Sequence, residues 1–392
     1  MTAATGLHEQ EQGERVLARL RERIGAAGGW IPFDEYMRIA LYEPGLGYYS
    51  AGAHKFGAGG DFTTAPEISP LFGQLLAVQC AQVLETLDGG DILEPGAGTG
   101  ALAGQLLRAL DELGCPPRRY RILEVSAELR ERQQVNIGTL PPSLAARVEW
   151  LDAPPAQAWR GVVVANEVLD ALPCERFAWR KSGAHEAQVV ARGVGLDAQA
   201  WPCWRDGPAT PALRQEVARI HGELQLPWPD TYESEVCLRG GPWIAALTAT
   251  LEQGLALFID YGLPRREYYH PSRSSGTLRC HFRQLAHEDP FRHPGLEDIT
   301  AWVDFTRVAE AAEPAGLDVL GFTTQAGLLL SLGLEQQVAQ AADEATRLRR
   351  ASQARQLAMP TEMGETFKAI ALGRGFDPPL LGFALQDLME RL

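Results

Sequence analysis

Basic charge is in short supply in this chain. Its 36 lysines and arginines face 50 acids, for a net charge of −14. A surface of that sign repels a phosphate backbone, which argues against nucleic acid as a partner. Cysteine is sparse and scattered: Cys80, Cys115, Cys174, Cys203, Cys237 and Cys280 form no CxxC pair and no close Cys/His cluster. Zinc-site spacing is therefore missing, no metal is expected, and six reduced thiols fit a cytosol-like compartment. No apolar run approaches the roughly 20 residues of a membrane span. The opening MTAATGLHEQEQGERVLARL carries acids and no apolar core, so neither a signal nor a transit peptide is expected. Those readings together predict a cytoplasmic protein. Internal repeats and low-complexity tracts are absent as well.

What is present is ample apolar material, 45% of 392 residues, enough for two or three domains or one elaborated α/β domain. Residues 10–29 read as a helix with Val16, Leu17, Leu20 and Ile24 on one face, and a short helix follows at Pro32–Met37. A helix through Leu71–Leu87 precedes a regular alternation. Strands are predicted at Asp91–Glu94, Tyr120–Val125, Arg147–Leu151, Gly161–Ala165 and Leu255–Asp260, with amphipathic helices between several of them. That order predicts an α/β fold with a doubly wound parallel sheet. CERFAWR, HEAQVVARG and ESEVCL read as antiparallel strands and PALRQEVARIHGELQ as a helix. The stretch 262–300 reads as loop-rich, and two further strands are expected at Leu317–Thr324 and Phe367–Leu372. The division that follows has an N-terminal helical extension with a cofactor-covering loop at 1–88. The core comprises 89–173 and 251–392, and an inserted α+β subdomain occupies 174–250.

The chemistry concentrates in ILEPGAGTG, residues 92–100, where an apolar strand ends in Glu94 and glycines stand at 96, 98 and 100. Glycines there let a ligand approach the backbone. Gly96, Gly98 and Ala101 fit the dinucleotide pattern G-x-G-x-x-[GA]. Glu94, Gly96, Gly98 and Gly100 equally fit the acid-x-Gly-x-Gly-x-Gly pattern of S-adenosylmethionine sites, and a tight turn without ligand is the third reading. Glu124, ending the second strand, can accept both hydroxyls of a ribose. A pyrophosphate at the helix start would meet the charge of Glu94, whereas the ammonium and sulfonium of adenosylmethionine would be attracted to it. The fourth strand runs into NEVLDALP. If Glu167 opens a helix, Asp170 shares its face, and with Asn166 these groups line one wall; a capping Asn with first-turn acids is the bland alternative. The fifth strand ends in Asp260. In doubly wound folds these strand ends face the ligand.

GYYSAGAHKFGAGGDFTTAPEISPLFG, ILEPGAGTG, NEVLDALP, FIDYG and GTLRCHFRQLAHEDPFRHPGLEDITAWVDFT resemble, in order and spacing, the MidA-like family of S-adenosylmethionine-dependent methyltransferases. The likeness runs from about Phe33 to Lys368. The family's eukaryotic members are mitochondrial protein-arginine methyltransferases that assist assembly of respiratory complex I. The resemblance implies a class I methyltransferase (Rossmann-like) fold with S-adenosyl-L-methionine as cofactor. It makes Glu94, Gly96, Gly98 and Gly100 methyl-donor residues and Glu124 the ribose acid. Gly60, Asp61 and Phe62 then cover the cofactor. Asn166, Glu167 and Asp170 face the acceptor. Beside the resemblance, chemistry alone offers Asp260 as a further catalytic candidate and His281 or His287 to take the proton, although a loop histidine is more often a surface or capping group. The resemblance also implies a protein substrate, with an arginine side chain favoured and a respiratory-complex subunit as one such partner, and it allows a homodimer. Pro95 departs from the small or aromatic residue common at its position. A non-catalytic assembly scaffold and an NAD(P)-dependent oxidoreductase are the competing functions.

Overall fold

A computed structural model describes residues 3–50, 63–181 and 187–392 of the chain. They fall into two compact units. The first comprises Met1–Phe62, Asp170–Gly240 and Arg265–Trp302, and the second Thr63–Leu169, Gly241–Pro264 and Val303–Leu392.

The second unit is built on one mixed sheet. Its strands are β1 (Asp91–Pro95), β2 (Tyr120–Leu123), β3 (Val148–Leu151), β4 (Trp159–Asn166), β5 (Leu251–Leu263), β6 (Asp318–Thr324) and β7 (Phe367–Arg374), in the order β3-β2-β1-β4-β5-β7-β6. The two-residue strand Val303–Asp304 pairs with β5 off this path. Neighbours from β3 through β5 are parallel, as the alternation predicts. β7 alone runs against the rest, antiparallel to both β5 and β6. That order departs from the 3-2-1-4-5-6 sheet of dinucleotide-binding folds by one inserted reversed strand. The reversal has no signature in the sequence. A strand buried on both faces is a largely apolar run whichever way it points, and Phe367–Gly373 are all buried, Lys368 being the one charged residue among them.

Helix Pro70–Thr86 belongs to this unit rather than to an N-terminal extension. Its Leu71, Phe72, Leu75, Leu76, Cys80, Val83 and Leu84 sink into one core with Leu102, Leu106 and Leu110 of helix Ala101–Glu112. Each fully buried leucine contributes roughly 1.5–3 kcal/mol. Ser69 starts the helix, its Oγ accepting from the Leu71 N–H at 3.1 Å.

The first unit carries helices Ala3–Ala26 and Phe33–Tyr42, the latter longer than the sequence predicts. It also holds a four-stranded antiparallel sheet ordered Pro202–Pro208, Gln188–Leu196, Glu175–Arg180, Thr231–Val236. Helix Pro211–Leu224 is present as expected. Strand Pro202–Pro208 was not anticipated. The loop-rich stretch after Asp260 holds a three-stranded sheet of Arg279–Phe282, Leu285–His287 and Asp298–Thr300, grouped in this unit.

Close packing of β1 on β4 yields a test. Gly161 has φ +145°, and a Cβ on it would lie 1.9 Å from the Asp91 carbonyl oxygen. Gly161→Ala is expected to lower stability by about 3 kcal/mol in urea unfolding. A wild-type midpoint would contradict this strand contact.

Candidate active site

β1 delivers Glu94, 3% exposed, to the sheet's carboxyl edge. The chain then turns through Gly96, Gly98 and Gly100, with φ of +64°, +54° and +82°. Side-chain-bearing residues rarely hold that conformation, so the motif's spacing is a backbone requirement. A Cβ at Gly96 would meet Val168 Cγ2 at 3.3 Å, and one at Gly100 would meet Gln133 at 3.4 Å. Helix Ala101–Glu112 starts at Gly100 with no side-chain cap, leaving its positive end to the turn.

The two acids at this edge are both buried. The Tyr120 hydroxyl donates to Glu94 Oε2. Burial pushes the Glu94 carboxyl up to about 7, the tyrosine pulls it back, and the charge of Glu124 adds to the rise. Glu124 Oε1 accepts from the Ser126 N–H at 2.8 Å and Oε2 from the Gln133 amide at 3.0 Å. Burial raises its pKa, and those two donors oppose the rise. Each oxygen keeps a lone pair for a hydroxyl donor, as a ribose diol requires. Gln133, which sequence reasoning missed, also donates to the Gly98 carbonyl at 3.0 Å. The signal was there: Leu129, Gln133 and Ile137 form the buried stripe of helix Ala127–Ile137, and one of the three is polar.

The end of β4 corrects an expectation. No helix opens at Glu167; residues 167–173 are turn and coil. Glu167 itself takes φ +55°. Asp260, 1% exposed, explains why. Its Oδ2 accepts from the Val168 N–H at 3.1 Å and the Leu169 N–H at 2.9 Å, and its Oδ1 from the Tyr261 N–H at 2.9 Å. A carboxylate on β5 therefore captures the amides of the turn and fixes it. Asn166 Nδ2 donates to Glu167 Oε1 at 3.0 Å, which turns Asn166 Oδ1 away. That oxygen is buried and has no hydrogen-bond partner among the described residues.

Asp170 is grouped with the first unit, where its carbonyl accepts from the Ala301 N–H at 3.0 Å; it is not a helical neighbour of Glu167. His281 and His287 sit on the first unit's three-stranded sheet, with His287 Nε2 3.1 Å from Glu297 Oε2. Gly60, Asp61 and Phe62 lie outside the described residues. Among the described residues no three His, Cys, Asp or Glu side chains could together hold a metal ion, and no helix is long and apolar enough to cross a membrane. A groove of about 870 Å³ in the first unit, lined by Trp179, Arg214 and His221 among others, contains none of the motif residues.

The sequence profile of a family described as "Putative S-adenosyl-L-methionine-dependent methyltransferase" matches residues 75–323. The chain belongs to this family. It is an S-adenosyl-L-methionine-dependent methyltransferase, and the oxidoreductase reading falls. A crystal structure of a Burkholderia thailandensis protein bound to S-adenosyl-homocysteine is 44% identical, with a TM-score of 0.92 over 98% of each chain. Curated relatives include the mitochondrial protein arginine methyltransferase NDUFAF7 of Danio rerio, 29% identical over 90% of this chain and 85% of its own length. The Drosophila melanogaster homolog is 30% identical over 93% and 86%. Both are named mitochondrial proteins, which overturns the cytoplasmic placement expected from the sequence.

The buried acids fit this cofactor: an ammonium is attracted to Glu94, and the glycine turn leaves no Cβ in its way. A carboxyl whose pKa is higher in the folded protein than its unfolded value of 4.5 holds an extra proton when folded. Its contribution to stability is full below about pH 4.5 and is lost as pH rises through about 7. An ammonium bound beside Glu94 would favour the ionised form, and binding would then expel that proton. Calorimetry of S-adenosyl-homocysteine near about pH 6.5, in buffers of different ionisation enthalpy, should show proton release by the wild type. Glu94→Gln should show much less. Equal release by the two proteins would contradict this account.

Proposed function

We propose that this methyltransferase modifies the arginine side chain of a protein substrate at the turn closing β4. The observation that carries the reading is the Asn166–Glu167 pair. The Glu167 carboxylate, which accepts from Asn166 Nδ2, stands beside the buried Asn166 Oδ1, an oxygen that has no hydrogen-bond partner among the described residues, on a backbone fixed by Asp260. Both are acceptors, and a guanidinium presents five N–H donors in a rigid fork. An unmatched buried acceptor is what an incoming N–H satisfies. The names of the curated relatives, protein arginine methyltransferases, support the same substrate.

In this reading Glu94, Gly96, Gly98 and Gly100 hold the methionine end of the cofactor and Glu124 its ribose. S-adenosylmethionine, when bound, supplies a methyl group on a positively charged sulfur. A free guanidinium is a poor nucleophile, with a pKa above about 12. Glu167 draws the positive charge toward two of the guanidinium nitrogens, and Asn166 Oδ1 orients the group, which leaves electron density on the third nitrogen. Asp260 is then a positioning residue and not the acceptor contact the sequence suggested, because its oxygens already receive three backbone N–H groups. Alignment and exclusion of water do most of the work; proximity effects reach roughly 7–11 kcal/mol in well-oriented reactions.

The test is single-turnover transfer of labelled methyl groups to protein, with methylated amino acids identified after hydrolysis. Methylarginine is the expected product. Glu167→Gln should keep cofactor affinity and lose about 100-fold in transfer, or about 2.7 kcal/mol of transition-state stabilisation. Methyl-lysine as product, with a rate climbing steeply toward a pKa near 10.4, would overturn the substrate assignment.

A further inference from the structure

We propose that Gln133 is a positioning residue of the cofactor site, one amide that locks the glycine turn and the ribose acid into a single rigid unit. This rests on the reading of Glu124 as the ribose acid. Gln133 is fully buried and makes three hydrogen bonds at 3.0 Å. Its Oε1 accepts from the Trp150 indole N–H on β3. Indole is a donor only, so the amide cannot flip; its oxygen must face Trp150. Both hydrogens of Nε2 are then committed, one to the Gly98 carbonyl and one to Glu124 Oε2. No other described side chain bonds to both the turn and the acid. Asn136, one turn further along the helix, reaches only the turn, donating to the Thr99 carbonyl at 2.6 Å.

The consequence concerns charge. Glu124 must be ionised to accept two hydroxyls. Around it stand the Ser126 N–H, the Gln133 amide, the Arg130 guanidinium, which donates to the Glu124 carbonyl oxygen at 2.9 Å, and the second acid Glu94. Burial opposes ionisation, and the Gln133 donor is one of the groups that counter it. Loss of that donor moves the acid limb of cofactor binding to higher pH. A residue that merely filled space would weaken binding equally at every pH.

The experiment is calorimetric titration with S-adenosyl-homocysteine from pH 5 to 8.5, each variant and its parent carrying Glu94→Gln so that the Glu94 carboxyl adds nothing to the acid limb. Gln133→Leu should bind about tenfold more weakly at pH 7, the loss of one charge-assisted hydrogen bond. Its acid limb should rise by about one pH unit. Asn136→Ala should weaken binding without moving that limb. If Gln133→Leu does not fold, Gln133→Glu preserves the acceptor for Trp150 and sets a second carboxylate against Glu124, and its limb should rise further still. A Gln133→Leu limb superimposed on that of its parent, or an equal rise in Asn136→Ala, would overturn the proposal. Glu124→Gln separates the two levels. The parent's affinity in that variant refutes the ribose reading and this proposal with it. Weakened binding there, beside an unmoved limb in the Gln133 variants, refutes the positioning role alone.

Discussion

Between Pro95 and Ala101 the backbone takes a positive φ at every second residue, and the rest of the site depends on that constraint. A chain leaving a buried parallel strand must reverse within a few residues to pack its helix back on the sheet. Three left-handed glycines achieve this without a Cβ at the three strained positions. The same geometry leaves Glu94 at the strand's end, below the turn. It also presents the Gly98 and Thr99 carbonyls to one neighbouring helix, which holds them through Gln133 and Asn136.

Desolvation gives the acids their meaning. Glu94 and Glu124 are nearly inaccessible to water, and each has an elevated pKa because the protein offers limited compensation for its charge. Two carboxylates stand near one another, one beside a tyrosine and one beside a glutamine, and the proposed reading pairs them with a ligand that carries both positive charge and a diol. A pyrophosphate carries the wrong sign. The sheet agrees with that preference, since the reversed β7 sets it apart from the dinucleotide-binding order.

Much of this was readable in the amino-acid order, and the exceptions share a cause. Val162, Val163 and Val164, Ile92 and Leu93, and Leu255–Ile259 are β-branched and apolar runs that read as buried strands, and the glycine spacing located the turn. Glu167 and Asp170 misled because their i, i+3 spacing suits a helix start. The chain makes no helix there because Asp260, some ninety residues later, takes the N–H groups of Val168 and Leu169. Gln133 belongs to no motif and the sequence reading did not single it out, although the inward stripe places it between Leu129 and Ile137. Strand Pro202–Pro208 and the sheet around Cys280 are short and polar, without the alternation that identifies a strand. At the turn after β4 a partner distant in sequence decided the outcome; in the short strands it was pairing with a neighbouring strand.

The most direct measurement of the central claim is the affinity of Gly98→Ala for S-adenosyl-homocysteine, with folding followed by circular dichroism. Gly98 sits at φ +54° and its carbonyl is held by Gln133, so a methyl group there strains the turn and, in the proposed reading, would meet the cofactor. The account predicts a folded protein whose affinity has dropped by at least about tenfold, 1.4 kcal/mol or more. A folded Gly98→Ala protein that binds as tightly as the wild type would mean that the cofactor does not lie over this turn.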